Sequence, residues 1–180
     1  IRQSVKIGGE MERLMSKTVY EYMDWPEIEA VVYGEETAPR DVMGPRLTPD
    51  GVLIQGFFPE ARAAAVVTGR KKYEMELEDE AGYYAVLIPG RRIPDYEFQV
   101  EFEKETKNFK DAYAFGGLLT EEDERAFLGG VYYEAYKKMG AHLMVMNGVA
   151  GTHFAVWAPN AVRVSVVGEF NNWDGRALPM

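Results

Sequence analysis

The spacing of hydrophobic residues changes near residue 51 and divides the chain into a helical part and a β part. Before that point, apolar residues three or four apart predict one helical face: Met11, Leu14, Met15, Val19, Tyr22 and Met23. Pro26 interrupts this helix, a second short helix is predicted over residues 27–33, and Gly34 is its stop signal. Residues 35–51 contain three prolines and two glycines, and we predict a loop there.

From residue 51 the period changes to two, which is typical of strands. Residues 95–103 alternate most regularly, with Tyr96, Phe98, Val100 and Phe102 on one side. Four further strands are predicted over residues 52–58, 63–67, 71–80 and 82–90. Short strands separated by Gly and Pro favour an immunoglobulin-like β-sandwich.

A helical linker is expected after this sandwich. Thr120 and Asp123 have the spacing of a capping box at the start of a short helix, and Gly129 and Gly130 end it. Residues 131–140 predict one or two further helical turns.

Residues 51–67 and 151–167 align without a gap at an offset of 100 residues. Five positions are identical, among them the turn proline, Pro59 and Pro159. The fold class predicted is therefore mainly β, with tandem immunoglobulin-like β-sandwiches. Since a sandwich needs about 100 residues, we expect the second to be truncated. The predicted domains are a helical segment (1–35), a first sandwich (36–110), a linker (111–140) and the start of a second sandwich (141–180).

Composition limits the classes of function. The 180 residues include no cysteine, which excludes disulfides and thiolate chemistry and favours a cytoplasmic location. The formal charge of -9 argues against a nucleic-acid partner, and no apolar run approaches the ~18 residues of a membrane span. A neutral polymer remains an acceptable partner.

Trp173 is the first candidate binding residue, because it lies among turn-forming residues: Asn171, Asn172 and Asp174. An exposed indole can stack on the apolar face of a sugar ring, and asparagine amides can bond its hydroxyls. Alternatively, Trp173 folds back over the sandwich edge while Asn171 and Asp174 shape the turn.

Trp157 and its counterpart Phe57 are predicted to be domain-packing residues. On its strand Trp157 shares a face with His153 and Ala155, opposite Phe154 and Val156, which we expect to face the core. An outward tryptophan usually packs on another domain, although sugar binding is the alternative.

No catalytic residue, metal site or cofactor is predicted. Two acidic rows could suggest a carboxylate pair or a calcium site, but rows spaced by two normally form solvated strand faces: Glu74, Glu76 and Glu78, and Glu97, Glu101 and Glu103. His142 and His153 have no partner at metal-ligand spacing.

The last forty or so residues resemble the 1,4-α-glucan (glycogen) branching enzymes. Their hallmark is G-x-x-F-x-V-W-A-P-x-A followed by V-S-V-V-G-x-F-N-x-W-D, and this chain carries it at Gly151, Phe154, Val156, Trp157, Ala158, Pro159, Ala161, Val164 to Gly168, Phe170, Asn171, Trp173 and Asp174. The similarity extends upstream to about residue 26, where it is more divergent. The family's usual D-P-Y/F has become Asp111-Ala112-Tyr113.

The resemblance implies a carbohydrate-binding module of family 48 after Gly140, with α-1,4-glucan (glycogen or amylose-like chains) as partner. In such enzymes of glycogen biosynthesis a glycoside hydrolase family 13 barrel follows, which cuts an α-1,4 bond with retention and rejoins the chain to a 6-hydroxyl. None of the barrel's motifs lies in these 180 residues. The resemblance therefore implies an N-terminal part, inactive alone, that positions glucan and supports a C-terminal catalytic domain.

Two other hypotheses remain. A free-standing, non-catalytic glycogen-binding or scaffold protein would carry the same sandwiches. A debranching or trehalose-releasing hydrolase would share the module, but such enzymes usually lack a preceding second sandwich.

Overall fold

The computed structural model of the protein describes residues 19–180, which divide into two units. The first unit holds the residues up to 114 together with 162–180, and the second holds 115–161. The helix predicted over residues 11–23 lies mostly outside the described residues. Its last part, residues 19–21, is helical.

Two helices precede the sheets: α1 (Trp25–Tyr33) and α2 (Pro39–Val42). Helix α1 has Pro26 in its first turn, where a missing amide hydrogen costs nothing. It ends at Gly34, whose φ of 70° is the left-handed conformation that glycine adopts most readily. The predicted helix and its stop signal are confirmed, with a start two residues earlier.

Eight strands form the first sandwich: β1 (Gly44–Thr48), β2 (Gly51–Phe57), β3 (Ala63–Thr68), β4 (Lys71–Glu74), β5 (Glu76–Asp79), β6 (Tyr83–Ile88), β7 (Glu97–Glu101) and β8 (Thr106–Phe109). They make two antiparallel sheets with the orders β1-β2-β6-β5 and β4-β3-β7-β8. The mainly β, sandwich-type fold class predicted from the sequence is confirmed.

The segment 71–80, predicted as one strand, is two strands in different sheets. The chain crosses from β4 to β5 at Met75, which is buried in the core between the sheets. The alternation of apolar and acidic residues continues through this crossing, so the sequence pattern gives no sign of it.

The prediction of a loop over residues 35–51 is wrong, since this segment contains α2 and β1. Strand β8 also went unpredicted. Strands β1 and β8 are edge strands with mostly polar or exposed residues, so neither shows the apolar alternation on which strand prediction rests. An edge position also tolerates Pro45, which cannot donate to a central ladder.

Apolar side chains form two layers on either side of the first sheet. One layer lies between the two sheets and includes Phe98 and Val100 of β7, as the alternation predicted. The other layer packs helix α1 against the outer face of the same sheet and contains Ile28 and Phe57. All seven residues of β2 are buried as a result.

The second unit contains α3 (Glu121–Leu128), a 3₁₀ turn (Ala135–Lys137) and a hairpin of β9 (Gly140–Met146) and β10 (Val149–Ala155). The predicted capping box is confirmed: the Asp123 amide donates to Thr120 Oγ1 at 3.2 Å and the Thr120 amide donates to Asp123 Oδ2 at 2.8 Å. Lys138 and Tyr132 also donate to the Asp123 carboxylate, and together these donors hold its pKa well below the usual range.

The repeat seen in the sequence includes a matching turn. The Ala61 amide donates to the Phe58 carbonyl at 3.1 Å, and the Ala161 amide donates to the Ala158 carbonyl at 3.0 Å. After the turn the copies differ. The first continues as β3, whereas the second forms an isolated bridge between Ser165 and Pro179.

A chain of hydrogen bonds ties the end of the sandwich to the terminal segment. The Tyr96 hydroxyl donates to Asp111 Oδ2 at 2.5 Å, and the Tyr113 amide donates to Asp111 Oδ1 at 2.8 Å. The Tyr113 hydroxyl then donates to the Pro179 carbonyl at 2.9 Å. Asp111 is 3% exposed, and burial raises its pKa more than these donors lower it.

We predict that the stability of the chain depends on pH through Asp111. Because its pKa is higher folded than unfolded, the stabilisation is complete below the unfolded value of about 3.9 and is lost as pH rises through the folded value. In urea titrations from about pH 3 to 7, the wild-type chain should therefore lose unfolding free energy relative to Asp111→Asn. Tyr96→Phe, which removes one donor, should cost about 1–3 kcal/mol. A difference between the wild-type and Asp111→Asn chains that stays constant with pH would contradict the assignment.

Candidate functional site

The turn that carries Trp173 is a closed local structure, which we call the tryptophan turn (Gly168–Asp174). It begins with a 3₁₀ turn (Glu169–Asn171), after which Asn172 and Trp173 both have positive φ, 53° and 60°. The Trp173 amide donates to the Gly168 carbonyl at 2.9 Å and closes the loop. Asparagine tolerates the left-handed conformation, but for tryptophan it costs about 1–2 kcal/mol.

Asn171 holds the tryptophan turn together with its side-chain amide. Its Oδ1 accepts from the Gly168 amide at 2.9 Å, and its Nδ2 donates to the carbonyls of Val166 and Asp174 at 2.9 and 3.3 Å. Its amide is therefore committed to the backbone, and the structure gives Asn171 the turn-shaping role that was one of its two predicted alternatives.

Asp174 is likewise engaged within the protein. Its carboxylate oxygens accept from Nε and Nη2 of Arg176 at 3.0 and 2.7 Å, and this guanidinium holds the pKa of Asp174 below its usual range. The same guanidinium lies 5.9 Å from the centre of the Phe57 ring. Phe57, predicted to be a packing residue, thus supports the terminal segment as well as the helical layer.

A second arginine fixes the terminal segment against the end of helix α1. Arg163 Nη1 donates to the Gly34 carbonyl at 3.4 Å. Cations are favourable at this end of a helix, where carbonyl groups are left unpaired. A Cβ atom on Gly34 would approach Arg163 Nη1 to 2.6 Å, so glycine also provides the space for this contact.

Trp173 and Asn172 are the members of the predicted site that face solvent. The Trp173 side chain belongs to a residue that is 68% exposed, and Asn172 is exposed as well. The alternative in which Trp173 covers the sandwich edge does not match this exposure. The four predicted residues thus divide into a scaffold, Asn171 and Asp174, and an accessible pair, Asn172 and Trp173.

Trp157 packs against a helix outside the segment predicted as the second sandwich. It is 47% exposed, and its ring lies 4.9 Å from that of Phe127 on α3, so it packs within its own unit. The expectation that Phe154 and Val156 face a core is wrong: they are 42% and 53% exposed, while Ala155 between them is buried. Strand β10 pairs with β9 alone, and the described residues of this unit contain no other strand that could supply a second sheet.

The remaining candidates from the sequence are the two acidic rows and the two histidines. In the acidic rows Glu74 pairs with Lys72 at 2.9 Å and Glu103 with Arg62 at 2.8 Å. Among residues 19–180, no group of three or more His, Asp or Glu side chains is placed to hold a metal ion. No helix in this part of the chain has the length and apolar character needed to span a membrane.

An open groove of about 1190 Å³ lies beside the tryptophan turn and was not predicted. Asn171, Asn172 and Asp174 line it from the terminal segment, and Phe109 lines it from β8. No sequence pattern predicted it, because part of its lining comes from the edge strand β8, which lacks an apolar pattern.

The described fold is an antiparallel β-sandwich whose terminal segment presents an exposed indole on a closed turn. Residues 24–113, half of the chain, match the family described as alpha-1,4-glucan branching enzyme GlgB, N-terminal domain, and the chain belongs to this family. Residues 138–180 match carbohydrate-binding module 48 (isoamylase N-terminal domain). The protein therefore carries domains found in branching and starch-active enzymes.

Solved structures of similar proteins include pullulanase type I from Bacillus subtilis str. 168 complexed with maltose, at 24% identity and a TM-score of 0.32. Another is the catalytic module of the multi-modular glycogen-degrading pneumococcal virulence factor SpuA in complex with an inhibitor, at 18% identity and a TM-score of 0.33. These matches cover 41% and 45% of this chain, and 12% and 13% of those chains.

We predict that Asn171→Ala destabilises the chain by about 1–3 kcal/mol, because it leaves the Gly168 amide and the Val166 carbonyl without their partner. The matched control is Asn172→Gly, which keeps the left-handed backbone and should change stability by less than about 1 kcal/mol. Urea titration measures both. Equal effects would mean that Asn171 does not hold the turn.

Proposed function

We propose that this chain is part of a 1,4-α-glucan branching enzyme. In this proposal its carbohydrate-binding module contacts the α-glucan through Trp173 and Asn172. The retaining cleavage and transfer to a 6-hydroxyl would be performed by a catalytic barrel outside these residues. The observation that carries the proposal is the exposed, conformationally strained Trp173 in a segment that matches carbohydrate-binding module 48.

The strain at Trp173 supports a binding role. A large apolar residue in the left-handed region costs stability, and such outliers persist where the surroundings enforce them, often at ligand sites. Here the Asn171 bonds and the Asp174–Arg176 pair provide that enforcement. An indole fixed in this way loses little side-chain entropy when a sugar stacks on it.

The chemistry of the pair suits a neutral polyhydroxylated chain. The flat indole offers an apolar surface for one face of a glucose ring. The amide of Asn172 can both donate to and accept from hydroxyl groups. The formal charge of -9 repels anions but leaves an uncharged glucan unaffected.

The first sandwich contributes support in this proposal. Phe57 of β2 contacts Arg176 of the terminal segment. Tyr113, after β8, contacts Pro179, and Gly34, at the end of α1, contacts Arg163. These contacts fix the backbone on either side of the tryptophan turn. A branching enzyme needs such rigidity if a glucan held at the module is to be presented to a distant catalytic site.

We predict that Trp173→Ala weakens binding of maltoheptaose and soluble amylose several-fold, because a stacking contact contributes about 0.5–1.5 kcal/mol. Trp157→Ala is the matched control: it removes a half-exposed tryptophan that packs on Phe127, so it should lower the melting temperature and leave affinity intact. Calorimetric titration and thermal unfolding report the two effects separately.

The proposed binding role fails if Trp173→Ala leaves the affinity unchanged. The branching reaction itself is tested on the whole protein, by incubation with amylose followed by chain-length analysis of the products. Glucan binding without any transfer would instead indicate a non-catalytic glycogen-binding protein.

A further inference from the structure

The groove beside the tryptophan turn has walls from two separate parts of the chain. Phe170 and Asn172 line it from the terminal segment, and Lys107, Asn108 and Phe109 line it from the end of β8. Its volume of about 1190 Å³ exceeds the roughly 300–1,000 Å³ typical of pockets for small ligands. A groove of this volume has room for several linked rings.

Aromatic rings form an apolar wall in this groove. Phe58 and Phe98 lie 4.9 Å apart, and Phe109 lies 5.9 and 6.0 Å from them. Phe58 and Phe98 are buried, whereas Phe109 is 38% exposed and therefore presents part of its ring to the groove. Phe170, which lines the groove from the terminal segment, is 59% exposed. Two partly exposed rings thus face a common space from different segments.

The charged residues of the groove are largely neutralised within the protein. Arg62 pairs with Glu103 at 2.8 Å, and Lys107 pairs with Glu105 at 3.1 Å. Lys110 is bound to Asp95 at 2.6 Å. A fourth lining cation, Lys104, has no such pair among the described residues, but Glu60 and Asp174 also line the groove, so it has little unbalanced positive charge for an anion such as a phosphate. A neutral ligand is favoured.

We infer that this groove binds a linear α-1,4-glucan segment and extends the contact proposed for Asn172 and Trp173 to residues at the end of β8. Phe109 and Phe170 would stack on sugar rings, and Asn108 and Asn172 would bond their hydroxyls. The identity of the ligand rests on the proposed function. The site itself rests on the groove, its exposed rings and its neutralised charges, and it assigns a glucan contact to the first sandwich.

The two contacts are close enough for one chain to occupy both. Asn172 lines the groove, and Trp173, which is not among the lining residues, follows it directly, so their Cα atoms are about 3.8 Å apart. A glucan long enough to reach from the indole into the groove gains from both contacts at high effective concentration. Longer oligosaccharides should therefore bind more tightly than short ones.

The test uses the 180-residue chain, with maltoheptaose and maltose as probes. Phe109→Leu keeps an apolar side chain and removes the flat ring, and it should weaken maltoheptaose binding roughly three- to tenfold. The matched control is Phe154→Leu, since Phe154 is 42% exposed and does not line the groove, and it should leave affinity unchanged. Maltose, which has two glucose rings and can occupy fewer of the proposed contacts at once, should respond less to Phe109→Leu.

A second measurement avoids dependence on the folding of the variant. In the unsubstituted chain, maltoheptaose should shift the backbone amide resonances of residues 107–109, and inorganic phosphate should not. Phe170→Ala should reduce the same shifts from the terminal segment.

The outcomes separate the two proposals. If Trp173→Ala weakens maltoheptaose binding while Phe109→Leu and Phe170→Ala do not, the groove site is overturned and the proposed function stands. If maltoheptaose does not bind the unsubstituted chain, the proposed function fails and the groove site fails with it. Shifts at residues 107–109 caused by phosphate alone would also overturn the glucan assignment.

Discussion

The carboxyl group of Asp111 is enclosed at the point where the first sandwich ends, and it accepts hydrogen bonds from the Tyr96 hydroxyl and the Tyr113 amide. Burying a carboxyl group is costly unless its oxygens are bonded. These bonds therefore force the chain leaving β8 to pass close to Tyr96. That path brings the Tyr113 hydroxyl to the Pro179 carbonyl, so the position of the terminal segment follows from how one buried acid is satisfied.

Strand β2 is buried on both faces, and this is a second constraint on the structure. Because its residues pack against the opposite sheet on one face and against helix α1 on the other, the helical layer cannot be separated from the sandwich without exposing both. Helix α1 is also where the terminal segment is fixed, through Gly34 and Arg163. The tryptophan turn is thus held by a helix, a strand end and a tyrosine that belong to one packed body.

The sequence predicted the parts of this structure in which local pattern and burial coincide. Tyr96, Phe98 and Val100 alternate and are buried, and Gly34 ends the second predicted helix as its stop signal indicated. It did not predict β1 and β8, because an edge strand needs no apolar face. The crossing at Met75 was hidden for the opposite reason, since the apolar pattern continues while the backbone changes sheet.

The candidate site shows the same limit at the level of single residues. The turn-forming residue types predicted that Asn171, Asn172, Trp173 and Asp174 lie together in a turn. Since Asn171 and Asn172 are the same residue type, the sequence does not indicate which of their side-chain amides bonds to the backbone. That choice depends on dihedral angles: Asn171 ends a 3₁₀ turn with its amide directed at Gly168 and Val166, and Asn172 enters the left-handed region with its side chain exposed.

The division within the tryptophan turn has a physical consequence for recognition. A residue whose donors and acceptors are all used by the backbone gives rigidity and cannot exchange those bonds for a ligand without losing the turn. A neighbouring residue whose side chain makes no such bonds can bind a ligand, but only if other contacts fix its position. Asn171 and Asn172 together supply both properties in adjacent positions, and the strained backbone at Trp173 is the cost of presenting the indole on so short a loop. Under the proposed function, selection for glucan contact would act on Asn172 and Trp173, whereas selection for folding would act on Asn171 and Asp174.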